Sequence, residues 1–435
     1  MNADILDSAP FGPLQRRVVL LCGIVALLDG FDMQVIAYVA PRMADSWGLA
    51  PASFAQAFAA GPLGLAAGAF LVSPIADRIG RKPVIIGSTL LFGLFALLTA
   101  GAQTLGQLVA LRFLTGIGLG AAMPNIIALT GEYAPRRLRG TLITLMFGGL
   151  PLGSAIGGFI SHWLMAAHDW QAVFLLGGVL PLLLVLLLLW LLPESPGLVA
   201  SLGRPTSRIA SILRQIDPTA DVDLFIKAKR HERVQTPRRL TVTRLFGDGR
   251  APVTLLLWLI YFANLLAMYF LVNWLPTLLR EAGLPLSMAI LSTATLNFGG
   301  AAGGVALGWL IDRYSPLKML GWSYAIAILA IAGLAFAGFH LVVVIAAAII
   351  AGFTMVGAQT GCHVITTLAY PAPIRATGLG WALGVGRLGA IVGPLIGGTL
   401  LAAAWQPHSI ILAATVPTAI ALSAILLLAR FLPAR

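Results

Sequence analysis

VVLLCGIVALLDGFDMQVIAYVA, running from Val18 to Ala40, is long enough to cross a bilayer as one helix, yet it carries Asp29 and Asp32 where hydrocarbon should be. On insertion scales each Asp at the centre of a spanning helix costs roughly 2.5–3.5 kcal/mol, so about 6 kcal/mol is set against this one. A cost of that size marks a working face. Spaced i, i+3, the two acids share it, and Gly30 between them leaves room for another helix or a ligand to approach.

The rest of the chain has the same character. It is 59% hydrophobic and 10% charged, with a mean hydropathy of +0.93, which excludes a soluble globular protein of 435 residues. The net charge of +12 would suggest nucleic acid in a soluble protein, but here the basic residues fall in loops between apolar spans and read as orientation signals. Cys22 and Cys362 both lie in apolar runs, which argues against a disulfide framework or a thiolate metal site. Met1 to Pro13 has no basic n-region, so no cleaved signal peptide is expected.

Apolar stretches bounded by charged or turn residues predict twelve spans, near 17–41, 53–76, 84–101, 105–130, 139–167, 170–192, 251–280, 286–312, 317–338, 340–369, 375–403 and 407–432. The expected organisation is an N-terminal six-helix half over 1–192, a polar central loop over 193–250 and a C-terminal six-helix half over 251–435. In that loop Ile209, Ile212, Leu213 and Ile216 predict a short amphipathic helix along the bundle end. All but four of the 28 Lys and Arg residues fall on one side, which the positive-inside rule makes cytoplasmic, with both termini inside. The four are Arg42 and Arg280 at the opposite ends of spans one and seven, and Arg112 and Arg387 within spans.

An internal repeat at an offset of about 235 residues ties the halves together. Pro41 and Pro276 are expected to end spans one and seven; Asp77-Arg78 answers Asp312-Arg313, and Gly153-x-x-x-Gly157-Gly158 answers Gly389-x-x-x-Gly393-Pro394. Asp29 falls on Asn264 and Asp32 on Ala267, so the second half lacks the acidic face. The predicted fold is all-α, with twelve transmembrane helices in two pseudo-symmetric bundles.

Ser73-Pro-Ile-Ala-Asp77-Arg78-Ile-Gly-Arg81-Lys82, echoed by Gly308-x-x-x-Asp312-Arg313 with Lys318 following, places an acid at one helix end and arginines in the next turn. Such groups can lock neighbouring helices by charge-assisted hydrogen bonds, or act only as topology determinants. This stretch resembles the loop signature of the major facilitator superfamily, with Ser73 where that family usually has Gly, a change that suggests looser packing. Gly131-Glu132-Tyr-Ala-Pro135 and Pro193-Glu-Ser-Pro196 resemble further cytoplasmic-end signatures of the same superfamily. Glu132, near the interface, reads as a solvated acid rather than a proton carrier. The superfamily resemblance covers essentially the whole chain.

Arg112, followed by Gly116, Gly118 and Gly120, comes at nearly the depth of Asp32, so the two can pair, either as a static structural pair or as a working one. Arg387, near the centre of span eleven and level with Asp29, is suited to hold a carboxylate bidentately or to partner Asp29. Asp29-Gly30-Phe31-Asp32, with Arg112 and Arg387, resembles one branch, the aromatic acid:proton symporters. That resemblance implies uptake of benzoate-like acids, hydroxybenzoates or protocatechuate with a proton across a bacterial inner membrane.

Beside it, the residues suggest which side chains do this. Asp29 and Asp32 are candidates for proton coupling. Arg387 and Arg112 would meet the substrate carboxylate. Phe31, Tyr261, Tyr269, Trp274, Phe298 and Trp381 could stack on a ring, with Trp274 reading as an interfacial belt residue. Asn264, Asn273, Gln359 and His363 could donate hydrogen bonds to ring hydroxyls, although a buried histidine is more often simply satisfied. Asp77, Arg78, Arg81, Glu132, Asp312 and Arg313 are candidate gating residues. No catalytic constellation, metal-ligand spacing or nucleotide-binding Gly-Lys-Ser/Thr run occurs, which argues against an enzyme and an ATP-driven pump. The expected partners are a small aromatic carboxylate, protons and the bilayer, with no nucleic acid, no cofactor and a monomeric chain. Rival readings are another organic-anion or sugar-type porter or exporter on the same scaffold, and a transporter-like sensor.

Overall fold

The computed structural model describes residues 11–201, 206–216, 222–227, 242–338 and 340–432, and among them there is no β-strand. Most of Met1–Pro13 lies outside these residues. Among the described residues, twelve helices are long and apolar enough to span a membrane. They are α1 Pro13–Trp47, α2 Pro51–Ile79, α3 Arg81–Thr99, α4 Leu105–Tyr133, α5 Arg137–Ala167 and α6 Gln171–Leu191 in the first half. The second half has α7 Ala251–Glu281, α8 Leu286–Ile311, α9 Pro316–Phe336, α10 Leu341–Ala369, α11 Thr377–Ala402 and α12 Pro407–Leu428. Pro41 and Pro276 do not end their helices. Each lies inside one, and α1 runs on to Trp47, where Gly48 closes it in the left-handed conformation at φ 62°. A proline removes one donor, and a helix whose flanks are packed on both sides tolerates that loss.

Glycines set how closely the helices pack, and they reproduce the repeat in three dimensions. A Cβ on Gly64 would overlap the carbonyl of Phe113, and one on Gly299 that of Ile349; Gly68 meets Ile117 as Gly303 meets Phe353. Likewise Gly153 abuts the carbonyl of Leu27 and Gly389 that of Phe262. Thus α2 packs on α4 as α8 packs on α10, and α1 on α5 as α7 on α11. Small residues let backbones approach where lipid supplies no hydrophobic drive between helices.

The symmetry breaks in α2. Its backbone passes through a π-turn at Gly68–Val72 and a 3-10 turn at Ser73–Ile75, where Pro74 lacks the amide that a regular helix needs. The counterpart α8 is unbroken. Ser73 does not loosen this region, because Asn125 Nδ2 on α4 donates to its Oγ at 3.2 Å.

The packed core has three main parts. Near the face where α1 ends at Trp47, one cluster joins both halves, with Ile36, Met43, Phe54 and Phe58 packed together with Leu271, Trp274, Leu278 and Leu296. Toward the opposite face, where α1 starts and α12 ends, the halves keep separate cores. Val18, Cys22, Ile126 and Leu188 belong to one; Leu257, Ile260, Tyr324 and Cys362 belong to the other. Cross-half hydrogen bonds follow the joined part: Gln34 Nε2 donates to the Val272 carbonyl at 3.1 Å, and Asn297 Nδ2 to the Tyr38 hydroxyl at 3.1 Å. The halves are therefore closed against each other at the Trp47 face and parted at the terminal face.

Trp274 belongs to this closure and not to a lipid belt. It is fully buried, its Nε1 donates to the Pro394 carbonyl at 2.9 Å, and Phe58 meets it edge-on at 5.0 Å. The amphipathic helix forms at Thr206–Ile216; Ile209 and Leu213 are buried with Phe225, while Ile212 and Ile216 rest on the terminal-face core of the first half.

Candidate functional site

The two aspartates of α1 have opposite surroundings. Asp32 is held by Arg112 of α4 through Nη1–Oδ1 at 3.1 Å and Nη2–Oδ2 at 2.7 Å, and Nη2 also reaches the Asp32 carbonyl at 2.9 Å. Both side chains are 1% exposed, and the guanidinium lies 6.0 Å from the Phe174 ring. This bidentate geometry is the arrangement in which a buried pair repays its desolvation. Asp29 is equally buried, but neither of its carboxylate oxygens has a hydrogen-bond partner among the described residues.

Arg387 on α11 is close enough for its charge to act on Asp29, and Tyr269 on α7 stands within the field of both. The Nη1 of Arg387 is also buried without a hydrogen bond. Polar groups from α1, α7 and α11 thus converge between the halves, and two of them, Asp29 and Arg387, have unused bonding capacity. Next to them a cavity of about 10 Å³, the size of one water, is lined by Arg112, Tyr269, Asn273, Met33, Phe58 and Pro62.

Not every residue of the acidic motif faces this point. Gly30 admits a helix, since a Cβ there would overlap the Leu150 carbonyl of α5, and Ser154 Oγ donates to the Gly30 carbonyl at 2.8 Å. Phe31 is buried, its ring lying against Gly157 and Gly177, so it packs α1 onto α5 and α6 and offers no free face for a ligand. Trp381 is half exposed and stacks on Trp258 at 5.8 Å. Phe298 is exposed.

In the second half α7 and α10 share a polar seam. Asn264 Nδ2 donates to Gln359 Oε1 at 2.7 Å, and one turn away the Tyr261 hydroxyl meets His363 Nδ1 at 2.9 Å. Asn264 thus stands where the repeat places the counterpart of Asp29, and unlike Asp29 it is hydrogen-bonded, to the amide of Gln359.

At the terminal face Arg81 Nη1 lies 2.5 Å from Glu132 Oε1, and Ser195 Oγ donates to the other oxygen of Glu132. Glu132 is therefore a partnered acid and not a solvated one. Glu194 Oε1 accepts the amides of Arg81 at 2.9 Å and Lys82 at 3.1 Å, and Tyr133 donates its hydroxyl to the Glu194 carbonyl at 2.7 Å. Asp77 and Arg78 are exposed, and among the described residues Asp77 has no ion pair. Arg313 lies over the Trp309 ring at 4.0 Å; the Asp312 side chain lies outside what is described. Glu194 and Ser195 were visible in sequence only as part of a signature, because the partners that tie them to α3 and α4 lie more than sixty residues away. Arg280, which joins the halves at the Trp47 face, carried no signal beyond its position at a helix end.

The sequence model of the Major Facilitator Superfamily matches residues 22–342 and 257–435. The chain is 41% identical to a gallate transporter of Pseudomonas putida, covering 92% of this chain and 88% of the relative. It is 40% identical to the 4-hydroxybenzoate transporter PcaK of Pseudomonas aeruginosa, over 97% and 94% of the two chains. It is also 40% identical to a 3-(3-hydroxy-phenyl)propionate transporter of Escherichia coli, over 88% and 86%. Among solved structures, the inward open xylose transporter XylE from E. coli superposes with a TM-score of 0.78 at 16% identity, covering 97% of each chain, a likeness of fold alone. With twelve spanning helices, a repeat that recurs in its packing and relatives matched nearly end to end, the chain is a multi-pass membrane transporter and not an enzyme, and it belongs to the major facilitator superfamily, in the branch that the gallate and 4-hydroxybenzoate transporters occupy.

Proposed function

We propose that this protein imports small aromatic carboxylates across a bacterial inner membrane together with a proton. It works as a monomer by alternating access, with both termini in the cytoplasm and no cofactor. The observation that carries the reading is the contrast between the two acids of α1: Asp32 is fully bonded to Arg112, whereas Asp29 is buried with both oxygens unpaired beside Arg387. A charge left in that position costs several kcal/mol, a cost that binding a proton removes. Once Asp29 is neutral its charge no longer competes for Arg387, whose fork can then take the substrate carboxylate. Substrate and proton are thus coupled through competition for one cation. The aromatic acids carried by the named relatives support the substrate class. With the termini inside, the parted face is cytoplasmic, so the structure is an inward-open state of the cycle.

The test is uptake of labelled 4-hydroxybenzoate into proteoliposomes under a pH gradient, acid outside. The wild type accumulates label above equilibrium. Asp29→Asn exchanges label across the membrane but no longer concentrates it. Uphill accumulation by Asp29→Asn overturns the coupling role.

A further inference from the structure

The polar seam between α7 and α10 lies in the half that lacks the acidic face of α1, and neither the proton nor the carboxylate needs it. Tyr261 and Asn264 are three residues apart on α7, and Gln359 and His363 four apart on α10, so each pair lies on one helix face and the two faces meet rung by rung. On one rung Asn264 Nδ2 donates to Gln359 Oε1 at 2.7 Å. That bond uses the acceptor of Gln359 and leaves its amide N–H groups to point elsewhere. On the other rung the nearest acceptor for the Tyr261 proton is His363 Nδ1 at 2.9 Å, while Thr366 Oγ1 stands 3.3 Å from the same hydroxyl. An imidazole that accepts at Nδ1 carries its own proton at Nε2, so His363 also presents a donor. The side chains that orient are buried and those that present are half-buried: Tyr261 and Asn264 sit in the core, whereas Gln359 and His363 are partly open.

One atom in the seam is left over. Asn264 Oδ1 is buried and has no hydrogen-bond partner, an acceptor on the same side chain that bonds Gln359, in a seam that also carries the two donors. A group that completes such a set must accept and donate at once. A phenolic hydroxyl does both, whereas an unsubstituted ring edge does neither and a carboxylate only accepts. The seam also lies within reach of the carboxylate pole: a Cβ on Gly386 would meet the Tyr261 carbonyl at 3.2 Å, and one on Gly389 would overlap that of Phe262, so α11 carries Arg387 past this same stretch of α7.

We propose that Gln359, His363 and Asn264 Oδ1 form a hydroxyl-recognising pole that selects ring-hydroxylated aromatic acids over unsubstituted ones. Tyr261 is the positioning residue that fixes the His363 tautomer. The proposal rests on the carboxylate reading above, with Arg387 at the other pole. A site built to bond a hydroxyl discriminates against the analogue that lacks it, because its buried polar groups are then left unmatched.

The experiment is exchange of labelled 4-hydroxybenzoate and labelled benzoate in proteoliposomes, with KM and kcat measured for each. The wild type shows a KM for 4-hydroxybenzoate at least tenfold below that for benzoate. Gln359→Leu raises the 4-hydroxybenzoate KM about tenfold and leaves the benzoate KM within twofold; Gln359→Glu, of nearly the same size but without the amide donors, does the same. Tyr261→Phe raises the 4-hydroxybenzoate KM several-fold with kcat unchanged. Benzoate exchange reports that each variant is folded. Equal shifts for both substrates, no shift for either, or a wild type that takes benzoate as readily as 4-hydroxybenzoate each overturns the hydroxyl pole while leaving the carboxylate reading intact. A wild type that exchanges neither acid overturns both.

Discussion

Arg280, in the last turn of α7, reaches across to the last turns of α1, with Nη2 2.7 Å from Asp45 and Nη1 2.8 Å from the Pro41 carbonyl. The side chains are 32% and 47% exposed, so solvent screens the ion pair and its worth is about 1 kcal/mol or less. The bond to the carbonyl adds about 1.5 kcal/mol, since its donor is charged. Both contacts exist only while the halves are closed at this face. Arg280→Ala therefore removes about 1.5–2.5 kcal/mol and raises the population open at this face by about ten- to seventyfold. The measurement is the rate at which a membrane-impermeant maleimide modifies Ala57→Cys, a position on the small cavity behind the closed face. A rate unchanged by Arg280→Ala would show that apolar contacts such as Phe58 on Trp274 hold the closure alone.

The Asp32–Arg112 pair makes a prediction of a different size. Removing one partner leaves the other charge buried without a counter-ion, at a cost of about 3–5 kcal/mol, whereas replacing both costs much less. Asp32→Asn and Arg112→Gln are each expected to lower yield and thermal stability in detergent sharply, and the double variant to recover most of the loss. Additive losses in the double variant would contradict the bidentate geometry.

The sequence made much of this legible and left part of it hidden, for physical reasons. Twelve spans, the repeat and the depth match of Asp32 with Arg112 all follow from periodicity and rise per residue, which are local. The burial of Phe31 and Trp274 was not legible, because an aromatic in an apolar span looks the same whether it meets lipid, ligand or another helix. Ser73 misled because its hydroxyl finds Asn125 on a neighbouring helix. Glu132 read as solvated because Arg81, at the start of α3, and Ser195, after α6, come to it from distant parts of the chain. Pro41 suggested a helix end, yet α1 continues where α7 supports it. Nor could the state of the cycle be read, since both states share one sequence and differ only in which face holds the joined core.

The glycine contacts separate two kinds of substitution within one helix type. Gly30→Ala or Gly153→Ala forces a methyl group into the backbone of a packed neighbour, which only helix displacement relieves. Both are expected to abolish folded protein, as judged by monodisperse yield. Gly87 on α3 has open space where a Cβ would stand, so Gly87→Ala gains about 0.5–1 kcal/mol from helix propensity and raises thermal stability slightly. If all three variants behaved alike, close approach would not be what these glycines provide.

Glu194 acts on a helix that it does not belong to. Its Oε1 accepts the amides of Arg81 and Lys82, the first residues of α3, and of Ser195 at 2.9 Å. The amides of Arg81 and Lys82 are orphan donors at a helix N-terminus, and a carboxylate there satisfies them and meets the positive end of the helix dipole. Gly80, at φ 119°, turns the chain into this position, where a side chain would be strained and would also strike Glu194. Glu194→Gln keeps an acceptor and loses the charge, so it costs about 0.5 kcal/mol; Glu194→Leu loses the cap as well and costs about 1–2 kcal/mol. Amide hydrogen exchange over residues 81–85 reads this directly, with protection falling in the order wild type, Glu194→Gln, Glu194→Leu. Exchange that rises equally in both variants would assign the effect to charge alone, and exchange unchanged in both would show that the start of α3 is held by its packing.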